Sequence, residues 1–392
     1  LVTLVACIAV ALGSSPARAA DPTPSLSDDQ ILDVARSRLR IESVTTRITA
    51  LEQDGHGYQS QAGPLLGPGS ERMTLFEPQA EIIATQGDRI QHRIWVPIDI
   101  VTAASPNSIA RSRPDVVTGA SRHVEGGTLD WRATYKSNAA TDVFMRTGMR
   151  LENPFRSWHG DLGGRRSFAD QNTVVSGSIL GIFDWFDRFD ITGRRKGRAD
   201  RSTTTGSLGV TQILTPTTAV NLNYGVTVQE GELGNTWNSV PLASGVRGPE
   251  LLPSDRVRHA LVGRMSQFLP WNGALRLYYR FYADDWGIVA HSLEGQLTQR
   301  LLPTLYVAAR YRFHSQTGAS FFTTLAPVDA VFRVADSDLA PLDSHTLGWK
   351  VVGDVPVDGA VRSLHYEVEY DRYFRTNDLR MNIVTCAIGL RF

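Results

Sequence analysis

In "LHYEVEYDRYF", Leu364 to Phe374, four ionisable residues occupy every second position: His365, Glu367, Glu369 and Asp371. If the backbone is extended, neighbours in this stripe lie ~7 Å apart on one face. Carboxylates are the ligand type of hard cations such as Ca²⁺ or Mg²⁺. A single strand cannot wrap an ion, however, so the stripe reads better as one wall of a wet lumen, paired with cations on other strands. No metal and no cofactor are expected. Arg256, Arg258, Arg264, Arg276, Arg280, Arg310 and Arg312 form the complementary set, and they too alternate with apolar residues. A basic wall opposite an acidic one would set a transverse field and sort solutes by charge. The same charges could instead close the lumen with a lattice of ion pairs, and the sequence leaves both readings open.

Nucleophilic chemistry at a lipid-facing rim needs a serine within hydrogen-bond reach of a histidine. His259 and His291 fall on the apolar side of their segments, whereas Ser266 and Ser292 fall on the other. There is no HExxH, GxSxG or P-loop pattern. No catalytic residue is therefore named and an enzyme is not expected. An outer-membrane enzyme acting on lipid or envelope substrates is kept as the alternative class. Asp284-Asp285-Trp286 reads either as a rim cation or ligand site or, more plainly, as a β-turn carrying an interface tryptophan. The basic "GRRKGRAD", Gly193 to Asp200, is expected in an outer loop, either solvated or meeting lipopolysaccharide phosphates.

The elements that carry these residues must be strands. In "LRLYYRFY" the residues Leu275, Leu277, Tyr279 and Phe281 oppose Arg276, Tyr278, Arg280 and Tyr282. In "LYVAARYRFH" the set Leu305, Val307, Ala309, Tyr311 and Phe313 opposes Tyr306, Arg310, Arg312 and His314. Only period two sorts side chains in this way. Because charges facing hydrocarbon are costly, the arginines must point inward. Turn chemistry at 85 to 89, 137 to 141, 169 to 172, 214 to 218, 269 to 273, 301 to 304 and 353 to 360 alternates with longer links near 103 to 126, 186 to 200, 229 to 253 and 316 to 335. Tight periplasmic turns and longer outer loops are the barrel pattern.

Reading back from Phe392 gives about fifteen strands as far as "RMTLFEPQAEIIAT", and a single-chain bacterial barrel needs an even number. Parity therefore calls for a first strand at Ser43 to Gly55. The expected fold is all-β, a transmembrane antiparallel barrel of about 16 strands over residues 43–392. A soluble periplasmic sandwich also alternates. It has little reason to place Trp131, Trp158, Trp185, Trp271, Trp286 and Trp349 mostly near strand ends, where aromatic girdles meet head groups. Pro78 and Pro97 make the register of the first strands less regular. The loop around "RSRPDVVTGAS" is expected to fold inward and narrow the lumen.

Ahead of the barrel, the apolar run Leu1 to Leu12 followed by Ala17-Arg18-Ala19 reads as a signal peptide over residues 1–19. Cys7 only loosely mimics a lipoprotein site. Residues 20–42 read as a periplasmic leader with one short helix capped at Ser25 or Ser27. Lys+Arg and Asp+Glu are both 40, which argues against a nucleic-acid binder. After the leader one cysteine remains, Cys386, so neither an internal disulfide nor a CxxC redox centre is available.

Five stretches in order resemble a known group: "DVVTGAS" (Asp115 to Ser121), "LPSDRVRHAL" (Leu252 to Leu261), "YRFYADDWGIVAHSLE" (Tyr279 to Glu294), "RYRFHSQTGASFF" (Arg310 to Phe322) and "LAPLDSHTLG" (Leu339 to Gly348). They are similar to the proteobacterial outer-membrane family catalogued as domain of unknown function 3570. The resemblance implies a barrel in the outer membrane of a Gram-negative bacterium, in contact with outer-membrane lipid, and supplies no established activity. It further implies, weakly, a small lipoprotein or an envelope redox partner. The tail "NIVTCAIGLRF" places Phe392, Leu390, Ile388, Cys386 and Val384 on the lipid face. Phe392, Leu390 and Ile388 resemble the C-terminal signal read by the barrel-assembly machinery, and the last strand should close against the first.

Overall fold

In the computed structural model, residues 39–55, 72–103, 124–190, 194–234 and 239–392 are described. Period-two sequence becomes strand throughout. The first eight are β1 (Leu39–Gly55), β2 (Met73–Gln86), β3 (Ile90–Ala103), β4 (Val124–Asn138), β5 (Thr141–Glu152), β6 (Phe155–Phe168), β7 (Thr173–Phe189) and β8 (Arg195–Thr215). Then come β9 (Thr218–Gly231), two short strands β10 (Ser239–Pro241) and β11 (Arg247–Pro249), and β12 (Asp255–Leu269). The chain finishes with β13 (Gly273–Asp284), β14 (Val289–Leu302), β15 (Leu305–Gln316), β16 (Leu342–Pro356), β17 (Ser363–Arg375) and β18 (Leu379–Arg391). All but β10 and β11 join one closed antiparallel barrel of sixteen strands.

Closure comes from β1, which pairs with β18 from Ser43 opposite Arg391 to Gly55 opposite Leu379. The strand that parity demanded is present. It begins at Leu39, inside the span assigned to the leader, and the expected signal peptide and helix lie outside the described residues. So does the loop expected to narrow the lumen. At Pro78 and Pro97 the ladder is interrupted: pairing passes from Phe76–Ile100 directly to Gln79–Pro97. Two prolines on neighbouring strands remove donors at one place, which accounts for the gap.

The basic segment expected in an outer loop is strand instead. β8 starts at Arg195 and pairs with β7 as far as Phe189, so the hairpin stands beyond the apolar band, with Arg195 held 2.6 Å from Asp187. The tryptophans also need correction. Trp158, Trp185 and Trp271 are exposed near strand ends. Trp131 and Trp349 sit at the midpoints of β4 and β16. Trp286 is no interface residue: it is 4% exposed, its Nε1 donates to the Asp255 carbonyl at 3.0 Å, and its ring meets Phe321 edge-on at 5.2 Å.

At the outer end the links after β9 and β15 pack against each other. Val240, Leu242 and Ala326 form a small core of their own. Arg333 staples it, Nε to the Pro249 carbonyl at 3.1 Å and Nη1 to the Val328 carbonyl at 3.0 Å, while its backbone exchanges hydrogen bonds with Leu251. The turn between β17 and β18 joins through Arg375, which donates to Ser337 at 2.8 Å and to Asp338 at 2.6 Å.

Candidate functional site

Strand register fixes which side chains share a face. Arg310 stands directly opposite Gln296 on β14 and Gly348 on β16, and Gly348 in turn opposite Asp371 on β17. Leu293, Tyr311, Leu347 and Trp349, of the other parity, are 46–57% exposed on the outside. All seven expected arginines, and His365, Glu367, Glu369 and Asp371, therefore line the lumen. On β18 the outward set is equally clear, with Ile388 61% exposed and Ala387 3%.

The acidic stripe is not opposite the basic residues. β17 lies two places from β15 around the barrel, so the two sets meet along the wall. Arg310 pairs with Asp371 and, at 3.2 Å, with Glu369. Lys350 between them reaches Glu367 at 2.9 Å and Glu369 at 3.1 Å. His365 meets Asp354 at 3.0 Å. Gly348 makes this lattice possible, because a Cβ there would lie 2.0 Å from Asp371 Oδ1. Among the described residues no cluster of three or more metal-ligating side chains is present, and the stripe reads as a wall.

Two other expected arginines are paired. Arg312 Nε donates to Glu294 at 2.8 Å. Arg256 Nε donates to Asp284 at 3.0 Å, and its guanidinium lies 4.2 Å from the Trp286 ring centre. Asp284 also accepts from Tyr282 Oη at 2.7 Å and caps the backbone N–H groups of Trp286 and Ile288. This carboxylate, 0% exposed, organises the turn and is not a free rim site.

Arg258, Arg264, Arg276 and Arg280 form no ion pair among the described residues. On β13 Arg276 and Arg280 alternate with Tyr278 and Tyr282: Arg264 of β12 lies opposite Tyr278, with its guanidinium 5.6 Å from that ring, and Arg280 lies 5.5 Å from the Tyr282 ring. Stacking on an aromatic face holds a guanidinium flat and leaves its N–H edge free. Arg258 Nε is buried with no hydrogen-bond partner. Nearer the periplasmic turns, a recess of about 540 Å³ is lined by Arg276, Arg300, Arg310 and Lys350, with Glu369 as its one carboxylate. Sequence reasoning missed Arg300, although its parity in "LTQRLL" carried the signal.

Eight places around the barrel from β12 and β13 stand β2 and β3. Glu77, Glu81 and Asp99 face inward there; Asp99 pairs with Arg150 at 2.6 Å and Glu81 with Arg93. These are the acids opposite the arginine run, and they too escaped the sequence reading, because Pro78 breaks the alternation around them. A third cluster joins β4, β5 and β6, where Asp130 (1% exposed) accepts from Arg146 Nε at 2.7 Å and meets His159 at 2.8 Å. Gly148 leaves room for that imidazole, since a Cβ would sit 2.5 Å from His159 Cε1.

One serine does meet a histidine. Ser292 Oγ is 2.8 Å from His314 Nδ1 on the lumen side, and His314 Nε2 is 3.2 Å from Gln316 Oε1. Here the imidazole backs onto a neutral amide, and among the described residues no carboxylate contacts this ring.

A family model described as "Protein of unknown function (DUF3570)" matches residues 183–380, just over half of the chain. The chain belongs to the DUF3570 family. The match covers β8 to β17 completely, and with them the arginine run and the acidic stripe. No curated protein matches this family member. Among solved structures, a bacterial polysaccharide outer membrane secretin is similar at 7% identity and TM-score 0.46, covering 89% of this chain and 98% of its own. A BenF-like porin from Pseudomonas fluorescens Pf-5 is similar at 10% identity and TM-score 0.45, covering 90% and 99%. The ferric enterobactin receptor PfeA of Pseudomonas aeruginosa is similar at 12% and 0.44, where the chain spans 53% of the receptor. Likeness at this level says nothing about solute or activity.

Proposed function

We propose that this DUF3570 protein is a passive pore in the outer membrane of a Gram-negative bacterium and that its wall favours anions. Sixteen strands give a barrel wide enough for an aqueous channel. The observation that carries the anion preference is the run of Arg258, Arg264, Arg276 and Arg280, lumen-facing and without carboxylate partners among the described residues. Elsewhere on the wall Arg146, Arg150, Arg256, Arg310 and Arg312 are each held by a carboxylate. The unpaired guanidinium groups then set the sign of the field along that part of the wall. Phe392, Leu390 and Ile388 fit the part of an assembly signal, lying outward on a strand that closes the barrel.

Planar-bilayer recording of the purified barrel under a KCl gradient tests both parts. Stepwise conductance with a reversal potential on the chloride side is expected. Absence of steps removes the pore, and a reversal potential on the potassium side removes the anion preference. The Ser292–His314 contact is the one observation on the side of an enzyme; with an amide behind the imidazole, we read it as part of the wall.

A further inference from the structure

On the lipid-facing surface one four-residue tile repeats on three strand pairs. Tyr224 and Val226 of β9 oppose Leu261 and His259 of β12. Tyr279 and Phe281 of β13 oppose Leu293 and His291 of β14, and Tyr311 and Phe313 of β15 oppose Leu347 and His345 of β16. In each tile the tyrosine hydroxyl meets the histidine Nδ1, at 2.7, 2.8 and 2.8 Å, with ring centres 6.1–6.2 Å apart. The three tyrosines are 42–46% exposed, although they pair with protein.

The tiles share one height. His259 lies ten residues from Leu269 at the periplasmic end of its strand, His291 eleven from Leu302, and His345 eleven from Pro356. Register agrees: across β13 the partner of His259 is Ala283 and that of His291 is Phe281, two residues nearer the periplasm. A shift of two residues, ~7 Å, over two strands, ~10 Å, is the slope of strands tilted by ~35°, so the row runs level. Eleven residues along such strands rise roughly 28 Å, just beyond an apolar band ~25 Å tall. A few strands further round the barrel, Trp158, ten residues from Phe168, and Trp185, twelve from Thr173, stand at this same level and are 40% and 49% exposed. The histidines thus continue the interface belt that these tryptophans occupy.

A tyrosine hydroxyl is a donor as well as an acceptor, and the histidine Nδ1 is the ring nitrogen each one meets. With the hydroxyl as donor the imidazole proton lies on Nε2, an N–H with no protein partner among the described residues. The acceptors at the edge of the hydrocarbon are acyl carbonyl oxygens. Below the first tile, Gly177 and Gly206 floor an apolar groove of about 470 Å³, walled by Leu162, Ile179, Leu208 and Val226. In a barrel surrounded by lipid, hydrocarbon chain fills such a groove.

We propose that the three tiles are binding positions for outer-leaflet lipids. Each imidazole Nε2–H donates to an ester or amide carbonyl at the head of an acyl chain, and the first lipid's chain lies in the Gly177–Gly206 groove. Conduction is not required for this, only a barrel in a bilayer. The full chain is reconstituted in vesicles of diester phosphatidylcholine and of diether phosphatidylcholine with the same chains, which lacks the carbonyls. Urea unfolding is followed by tryptophan fluorescence. The wild type is expected to unfold at higher urea in the diester lipid. That difference is expected to vanish in H259F/H291F/H345F, which keeps an aromatic at each position, and to shrink in each single H→F variant, which serves if the triple variant does not fold. No difference for the wild type, or the same difference in the variants, overturns the proposal.

Discussion

Arg310 on β15 and Asp371 on β17 form an ion pair across the whole width of β16, passing over Gly348, which faces both in register. Added bulk at position 348 acts on the pair before anything else, because a Cβ there would also lie 3.2 Å from Arg310 Nε. G348A is expected to destabilise the barrel by roughly 1–3 kcal/mol, the range for overpacking that also displaces a hydrogen-bonded charge. Urea unfolding in vesicles measures it; an unchanged midpoint would show that the carboxylate moves aside at no cost.

The unpaired arginines make a different prediction. R264Q, R276Q and R280Q remove charge without orphaning a carboxylate, so folding should be unaltered, as judged by heat-modifiable migration on a gel. Each substitution should move the reversal potential under a salt gradient toward zero, and the triple variant furthest. Equal potentials in wild type and triple variant would relocate selectivity to another part of the wall.

Arg258 differs from those three because its Nε is buried without a partner. A charge desolvated without compensation costs stability, so R258M, which keeps most of the apolar stem, should be neutral or stabilising. A fall in the urea midpoint would mean that Arg258 makes a compensating contact through its other nitrogens.

Arg333 holds the outer cap by bonds to carbonyls from two separate links, and it is 6% exposed. R333A removes the donor to the Pro249 and Val328 carbonyls, which tie the two links together. Protease added to the outer face should then cut within residues 231–255 or 316–342 faster than in wild type, with the barrel remaining intact. Unchanged cleavage would place the strength of the cap in the Val240–Leu242–Ala326 core alone.

Ser292 should stay unlabelled by a fluorophosphonate probe at neutral pH, because it lies in the barrel wall with a weakly oriented imidazole, His314 Nε2 being 3.2 Å from the Gln316 amide oxygen. Labelling of wild type that is absent in S292A would make the enzyme reading the better one.

Most of the wall was legible because lipid on one side and water on the other force strict alternation. That rule put every expected arginine and the 365 to 371 stripe on the face opposite the exposed apolar residues, and the even strand count located β1. What alternation does not encode is which strand lies beside which across the lumen. The acids opposite Arg258 and Arg280 were therefore missed at Glu77 and Asp99, and the stripe at 367 to 371 was set opposite arginines that it in fact adjoins. Contacts between residues far apart in sequence, such as Ser292 with His314, need register as well as face. The cap escaped for another reason: β10 and β11 are three residues each and include prolines, so neither period nor composition marks them. Trp286 was assigned to the interface on residue type alone, whereas Asp284 folds the turn back and buries it.

β18 has hydrogen-bonded neighbours on both sides, β17 and β1. A polypeptide is made from its N-terminus, so β1 exists long before its second neighbour does. For the whole interval of synthesis and export its outer edge is an open template, able to pair with the wrong strand or with another copy. Residues 379–391 end that interval, and a chain cut short before them presents two sticky edges where the intact protein has none. The thirteen residues of the last strand thus decide how long the edge of the first stays open.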